Sequence, residues 1–174
     1  MKNLFVLLTL ICTYIFSLGQ ATVTREVVKE DAVPLAVKNT QTVIFPNTTV
    51  DRWEKASGTI KGKSGTKYIA IFKQFDQRVR ARFQEDGSGI SATTYYAGTK
   101  LPQAIQDAAA ANYAGYKLRS GERIQSLKGN QKFVFRIRLR KGSQKLVVYV
   151  DENGKEMEKK SVPSEMTEDE GVEG

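Results

Sequence analysis

The sequence predicts an α+β domain in which two helices cover one face of a curved antiparallel sheet of about eight strands. Three features lead to this prediction: an internal repeat, two segments with helical spacing of apolar residues, and several segments of strict alternation. The repeat emerges at a shift of about 68 residues. Val33-Pro34 then matches Leu101-Pro102, and after a small gap Asp86-Gly87 matches Asn153-Gly154. We therefore expect two tandem units, each a helix followed by four strands.

The first nineteen residues have the pattern of a signal peptide. Lys2 supplies a positive charge, and residues 4–18 are almost wholly apolar. This run is too short for a membrane-spanning helix, which needs about 20 apolar residues. We expect cleavage after Gly19, residues 20–32 as a linker, and a periplasmic or secreted protein with no transmembrane segment in the mature chain. An uncleaved anchor is the alternative.

Each predicted unit opens with a proline in the first turn of its helix. Repeat one spans residues 33–98, and its helix is expected to end near Phe45. Repeat two spans residues 99–158, and its helix is expected to end near Tyr113. In both segments apolar residues recur at helical spacing.

Alternation predicts four strands in each unit. Phe135 and Ile137 point to one face of the sheet, while Arg136 and Arg138 point to the other. The helices should cover the apolar face and leave the other face open to solvent. The strands are expected near residues 49–57, 66–74, 78–85, 90–96, 117–127, 131–141, 144–151 and 155–160.

The end of the chain, residues 159–174, is predicted to be a disordered acidic tail. It contains Pro163 and no aromatic residue, and its last residues are mostly acidic or glycine. The two repeats together, residues 33–158, should form one domain.

The composition excludes several kinds of catalytic site. The chain has no histidine, and its one cysteine, Cys12, lies in the predicted signal peptide. Triads with histidine, and zinc sites built on imidazole or thiolate, are therefore excluded. We expect no enzyme activity, no catalytic residue, no metal and no cofactor. A hydrolase using Asp51, Glu54 or Asp76 is the weaker alternative, because no paired-carboxylate geometry can be inferred.

Short motifs follow one another in a set order along the chain. They are Phe45-Pro46-Asn47, Trp53-Glu54, Tyr68-Ile69-Ala70, Ala81-Arg82-Phe83, Leu101-Pro102, Tyr113-Ala114-Gly115-Tyr116 and Asp151-Glu152-Asn153-Gly154-Lys155. Across about residues 33–157 this order resembles the PepSY-like, β-lactamase-inhibitor-protein-like (BLIP-like) periplasmic domains of Bacteroidetes-type bacteria. The resemblance implies tandem units in one curved sheet. It also implies a protein-binding or regulatory role outside the cytoplasm rather than catalysis.

The open face of the sheet is the predicted binding surface. The formal net charge is +8, and the basic residues lie mainly before the acidic end. This charge favours an acidic partner, and arginine mixed with aliphatic and tyrosine side chains suits protein recognition. The predicted site residues are Arg78, Arg80, Arg82, Arg136, Arg138, Arg140, Tyr149, Ile69 and Ile71.

Two other interpretations of this face stay open. It can be a solvated surface whose charge discourages aggregation. It can also bind an anionic polymer, such as an acidic glycan; nucleic acid is not expected, because the chain is predicted to be exported. The favoured function is that of an exported, non-catalytic module that binds another envelope or secreted protein with an acidic surface.

Overall fold

The structure is a computed structural model that describes residues 23–60, 63–129 and 132–167. Within these residues nine strands form one antiparallel sheet, in which every strand pairs with the next along the chain. The strands are β1 (Val23–Val28), β2 (Val50–Ile60), β3 (Lys63–Gln74), β4 (Gln77–Gln84), β5 (Gly89–Ala97), β6 (Lys117–Ser126), β7 (Phe133–Lys141), β8 (Gln144–Val150) and β9 (Glu156–Met157). The α-helices are α1 (Leu35–Ile44), α2 (Gln103–Asn112) and α3 (Ser164–Thr167). The predicted signal peptide, residues 1–19, lies outside the described residues.

The predicted α+β fold with two helix–strand units is confirmed. Helix α1 precedes β2 to β5, and α2 precedes β6 to β9. The units join where β5 pairs with β6, from Ser91↔Ser126 to Ala97↔Ser120. The sheet is not closed, since β1 and β9 form its two edges. None of the described helices has the length and apolar character needed to cross a bilayer.

Strand β1 is the one that the sequence did not predict. It pairs with β2 from Val23↔Gly58 to Val28↔Trp53, so the expected linker is wrong for residues 23–28. Residues 23–27 are all exposed. An edge strand that buries neither face does not need alternating apolar residues, and its sequence therefore carries no strand signal.

The two main helices begin and end in the same way. Pro34 and Pro102 each hold the position before the first helical residue. Beyond each helix the backbone turns through a left-handed residue, Asn47 (φ 61°) or Gly115 (φ 81°). The helix, the turn and the following strand thus repeat in the backbone, as the sequence repeat predicted.

The helices bury one face of the sheet, called the helix face below. In the first unit Val37 of α1 lies in a cluster with Phe72. In the second unit Ile105 of α2 lies in a cluster with Ile137 and Leu139. Burying one such side chain contributes about 1.5–3 kcal/mol, so these clusters fix the helices against the sheet.

The C-terminal segment is ordered where the sequence predicted disorder. A 3₁₀ turn covers Lys159–Ser161, and α3 follows it. The predicted disorder is therefore wrong for residues 159–167; residues 168–174 lie outside the described part. Two apolar side chains, four residues apart, dock this segment on the face opposite the helices. The buried cluster comprises Val162, Met166, Ile124, Val134 and Tyr149.

The turn between β3 and β4 combines an unusual backbone with an exposed aromatic ring. Gln74 pairs with Gln77, leaving Phe75 and Asp76 as the turn residues. Both have positive φ, 48° and 60°. Such two-residue turns favour asparagine and glycine, and a left-handed backbone costs other residues about 1–2 kcal/mol. Phe75 is nevertheless 92% exposed, so no buried contact within the chain accounts for it.

Replacing Phe75 with asparagine should raise the free energy of unfolding by about 1 kcal/mol, because asparagine tolerates the left-handed backbone. Urea unfolding of the mature chain measures the change. Asp76→Asn is the matched control and should be nearly neutral. A Phe75→Asn variant less stable than the parent would show that the ring supports the fold.

Met166→Ala should lower the free energy of unfolding by about 2 kcal/mol or more, because it removes a buried side chain from the cluster under α3. Lys160→Ala, in the exposed 3₁₀ turn, should change it by no more than about 0.5 kcal/mol. Equal stability of the two variants in urea would contradict docking of the C-terminal segment.

Candidate functional site: the second face of the sheet

The face opposite the helices, called the second face below, carries all the side chains selected from the sequence. Strand β7 shows the reason. Phe135 and Ile137 belong to the cluster under α2, so Arg136 and Arg138 point the other way. The predicted division of side chains between the two faces is confirmed. Their role in binding is a separate matter and stays a prediction.

The expected exposure of this face is wrong over most of its area. Arg80, Arg82 and Arg136 are only 3%, 6% and 7% exposed. Alternation fixes the direction of a side chain but not what packs over it, and here neighbouring side chains and the C-terminal segment do so. The other selected residues that are buried are Ile69, Ile71 and Tyr149. Those that reach solvent are Arg78, Arg140 and, in part, Arg138.

A buried carboxylate organises the arginines of the first unit. Glu54 on β2 accepts a hydrogen bond from Arg80 of β4 at 3.2 Å. Arg52 approaches its other oxygen at 2.8 Å, and Arg25 of β1 lies 3.9 Å away. Glu54 thus ties three strands together, and its position among guanidinium groups suits an ion pair better than acid–base catalysis.

A second buried carboxylate does the same in the second unit. Glu122 on β6 is 1% exposed. It accepts a hydrogen bond from Arg136 Nε at 2.8 Å and a further bond from Arg138. Burial opposes the charged form of Arg136, yet the adjacent carboxylate raises its pKa above the ordinary arginine value. Arg136 therefore keeps its positive charge inside the face.

Glu54 and Glu122 are the residues that the sequence analysis did not recognise as a pair. They are separated by the same shift that aligns the two helices, so they occupy equivalent places in the two units. Two features of the sequence identify Glu54 and Glu122. An acidic residue recurs at the shift of the repeat, and the neighbouring strands carry arginines. Asp51 and Asp76, the other carboxylates considered for hydrolysis, are exposed.

The C-terminal segment closes the face between the two carboxylates. Arg82 donates to Ser91 Oγ at 2.6 Å and to the backbone oxygen of Glu165. Ser126 donates to the Glu165 carboxylate at 3.0 Å. Polar contacts from β4 and β6 thus meet at Glu165 and hold the segment in place.

One end of the second face stays exposed and basic. It is the end at which the β3–β4 and β7–β8 turns lie, and it is called the basic end below. Like charges stand directly opposite each other on paired strands there: Lys73↔Arg78, Lys117↔Arg140 and Arg140↔Lys145. Beside the second-unit cations is a concavity of about 280 Å³. Its lining residues are Gly115, Lys117, Arg119, Arg140, Lys141 and Gly142.

The chemistry available at this end is that of amine and guanidinium groups beside exposed apolar side chains. Val147, on the same face of β8 as Lys145, is 52% exposed. Over the described residues there is no group of three or more histidine, cysteine, aspartate or glutamate side chains placed to hold a metal ion.

Glu122→Gln should lower the free energy of unfolding by about 3 kcal/mol or more, because it leaves Arg136 buried beside a neutral group. Glu158→Gln is the control: Glu158 pairs with Lys160 at the surface, and its loss should cost at most about 1 kcal/mol. Urea unfolding of both variants measures the difference. Little loss in Glu122→Gln would mean that the buried pair does not hold the face together.

The chain is similar to solved structures in its fold, but its sequence matches no known protein family. No protein-family model matches the chain, and no curated protein matches it. A BLIP-like protein from Bacteroides fragilis superposes with a TM-score of 0.58 and 18% identity, over 71% of this chain and 82% of that one. A DUF2874 family protein from Bacteroides ovatus gives 0.56 and 15%, over 72% and 84%.

A third solved structure, from Bacteroides eggerthii, belongs to a protein provisionally assigned to the periplasm. It gives a TM-score of 0.55 at 17% identity, over 72% of this chain and 86% of that one. At these identities the likeness concerns the fold alone, and the PepSY-like part of the predicted resemblance stays a prediction. The chain therefore has the fold of BLIP-like and DUF2874 proteins from Bacteroides.

Proposed function

We propose that the chain is an exported, non-catalytic binding module that recognises an acidic surface on another envelope or secreted protein. The observation that carries the proposal is the division of cations on the second face. Those at the centre are buried around Glu54 and Glu122, whereas those at the basic end are exposed to solvent. Among the described residues of the second face, the cations of the basic end can meet a partner without disturbing the ion pairs that hold the sheet together.

Exposed apolar groups at the same end favour a protein over a simple polyanion. Phe75 projects from the β3–β4 turn two residues after Lys73, and Val147 lies two residues after Lys145 on β8. Aromatic and arginine side chains provide much of the energy at protein interfaces, and charged neighbours steer the approach. Phe75 also occupies a strained turn position, where a residue retained for stability would be asparagine or glycine.

Export rests on the N-terminal pattern: a lysine followed by a short apolar run. The fold shared with a protein provisionally assigned to the periplasm is in keeping with it. A binding rather than catalytic role is supported by the arginine partners of Glu54 and Glu122, because a carboxylate held as an ion pair is poorly suited to proton transfer.

The second candidate function is binding of an acidic glycan in the envelope. The closely spaced like charges of the basic end favour it, since a polyanion can neutralise several cations at once. The two candidates differ in what they require: the protein partner needs Phe75 and Val147, whereas the glycan needs only charge.

The test is capture of envelope proteins with the mature chain, followed by affinity measurements on the recovered partner. Reversing charge in both units together, Lys73→Glu with Lys145→Glu, should weaken binding at least tenfold if two interface cations are lost. The control, Lys128→Glu with Lys132→Glu, makes the same change of net charge at exposed sites at the opposite end of the sheet.

An equal loss in the control pair would show that binding depends on net charge, not on the basic end. Retention on a sulfated polymer without any protein partner would favour the glycan. If binding weakens at high salt in the parent and in the variants alike, the cations mainly increase the rate of association with the partner, because salt ions screen exposed charges.

A further inference from the structure

Three cations of the second unit lie in a single row across paired strands. Lys117 on β6 is directly opposite Arg140 on β7, and Arg140 is directly opposite Lys145 on β8. Directly opposed like charges destabilise a sheet, by roughly 0.2–1 kcal/mol for each pair. Farther along the same face of β6 and β7, a cation lies opposite a carboxylate instead of another cation: Arg136 is opposite Glu122. The same strands thus accommodate a carboxylate at Glu122, whereas the row of Lys117, Arg140 and Lys145 contains no carboxylate.

No described residue neutralises this row. Lys117, Arg140 and Lys145 form no ion pair with any residue in the described ranges, nor do Arg119 and Lys141 beside the concavity. Arg140 is held by a hydrogen bond from its Nε to the backbone oxygen of Gly142, at 2.8 Å. Lys141 Nζ lies 5.8 Å from the centre of the Tyr116 ring. Arg140 is therefore positioned beside the concavity before any ligand arrives.

We propose that this row and the adjoining concavity are a binding site for a segment with two or more closely spaced anionic groups, and that the source is an acidic stretch of a protein. The proposal rests on the proposed function and names the part of the basic end that carries it. Neighbouring strands lie about 4.8 Å apart, and the row crosses three of them, so its three positive charges are spread from β6 to β8. A single carboxylate supplies one negative charge against the three positive charges of the row, so neutralising the row takes more than one anionic group.

An extended acidic peptide meets this requirement. Side chains two residues apart on an extended chain project on one side and lie about 6.6–6.8 Å apart, within the span of the row. The exposed Val147, next to Lys145 on the same face of β8, gives an apolar residue of the peptide a surface to contact. A sulfated glycan would satisfy the charges but leave this contact unused.

The experiment measures an acidic peptide with one apolar residue, Glu-Glu-Glu-Leu-Glu-Glu, and a sulfated oligosaccharide against the mature chain at low salt, by titration calorimetry. Arg140→Gln and Lys117→Gln should each weaken peptide binding about tenfold, the effect of losing one charge-assisted contact. The same variants should leave the urea midpoint unchanged or raise it, because each removes a repulsion. Lys128→Gln, an exposed cation at the other end of the sheet, is the control and should change affinity less than twofold.

Each other outcome overturns the proposal in a different way. A loss of stability in Arg140→Gln would give the row a structural role. Tighter binding of the sulfated probe than of the peptide, with the same variants sensitive, would make the ligand a glycan. No measurable binding of either probe would remove the site. If Lys73→Gln with Arg78→Gln abolishes peptide binding while the row variants bind normally, the site lies in the first unit and the proposed function still stands.

Discussion

The structure depends above all on two buried carboxylates that hold arginines on a face with no helix. Glu54 and Glu122 are 6% and 1% exposed, and each accepts hydrogen bonds from guanidinium groups on neighbouring strands. A buried charge is tolerated only when it is paired and hydrogen-bonded. Each unit therefore needs its own glutamate before Arg80 or Arg136 can be packed under other atoms. Without them the second face would have to stay open, as the alternation of the strands alone suggests.

Closing the centre of the second face determines where a partner can bind. Val162 and Met166 dock the C-terminal segment over Ile124 and Val134, and Arg82 donates to its backbone. This cover and the ion pairs remove the central arginines from the accessible surface. What is left is the end of the sheet near the β3–β4 and β7–β8 turns, where cations lie opposite one another on neighbouring strands. The buried arginines that hold the sheet together and the exposed cations thus lie at different places along the same strands.

Much of the fold follows from local patterns in the sequence. The helices begin after Pro34 and Pro102 and the strands alternate, because these features depend on backbone geometry and on one buried face. The exposure of the second face does not follow, because it depends on residues far away in the chain. Val162 and Met166 are two apolar residues in an acidic stretch, and nothing local indicates that they find a hydrophobic patch. The left-handed backbone of Phe75 could not be predicted either, because turn patterns place asparagine or glycine at such a position.

The internal duplication allows equivalent positions of the two units to be compared, and so shows which residues of the second face occur in both units. The shift that places Glu54 on Glu122 also places Thr49 on Lys117, so the buried acid is common to both units while the outer cation is not. A shared residue is expected where both units face the same physical requirement, here the neutralisation of buried arginine. Opposed cations answer no such requirement, since like charges opposite each other weaken a sheet. Lys73↔Arg78 and Arg140↔Lys145 recur in both units, whereas Lys117 is present only in the second. The buried acids of the second face thus serve folding in both units, whereas its opposed cations weaken the sheet and therefore point to another requirement, with Lys117 distinguishing the second unit.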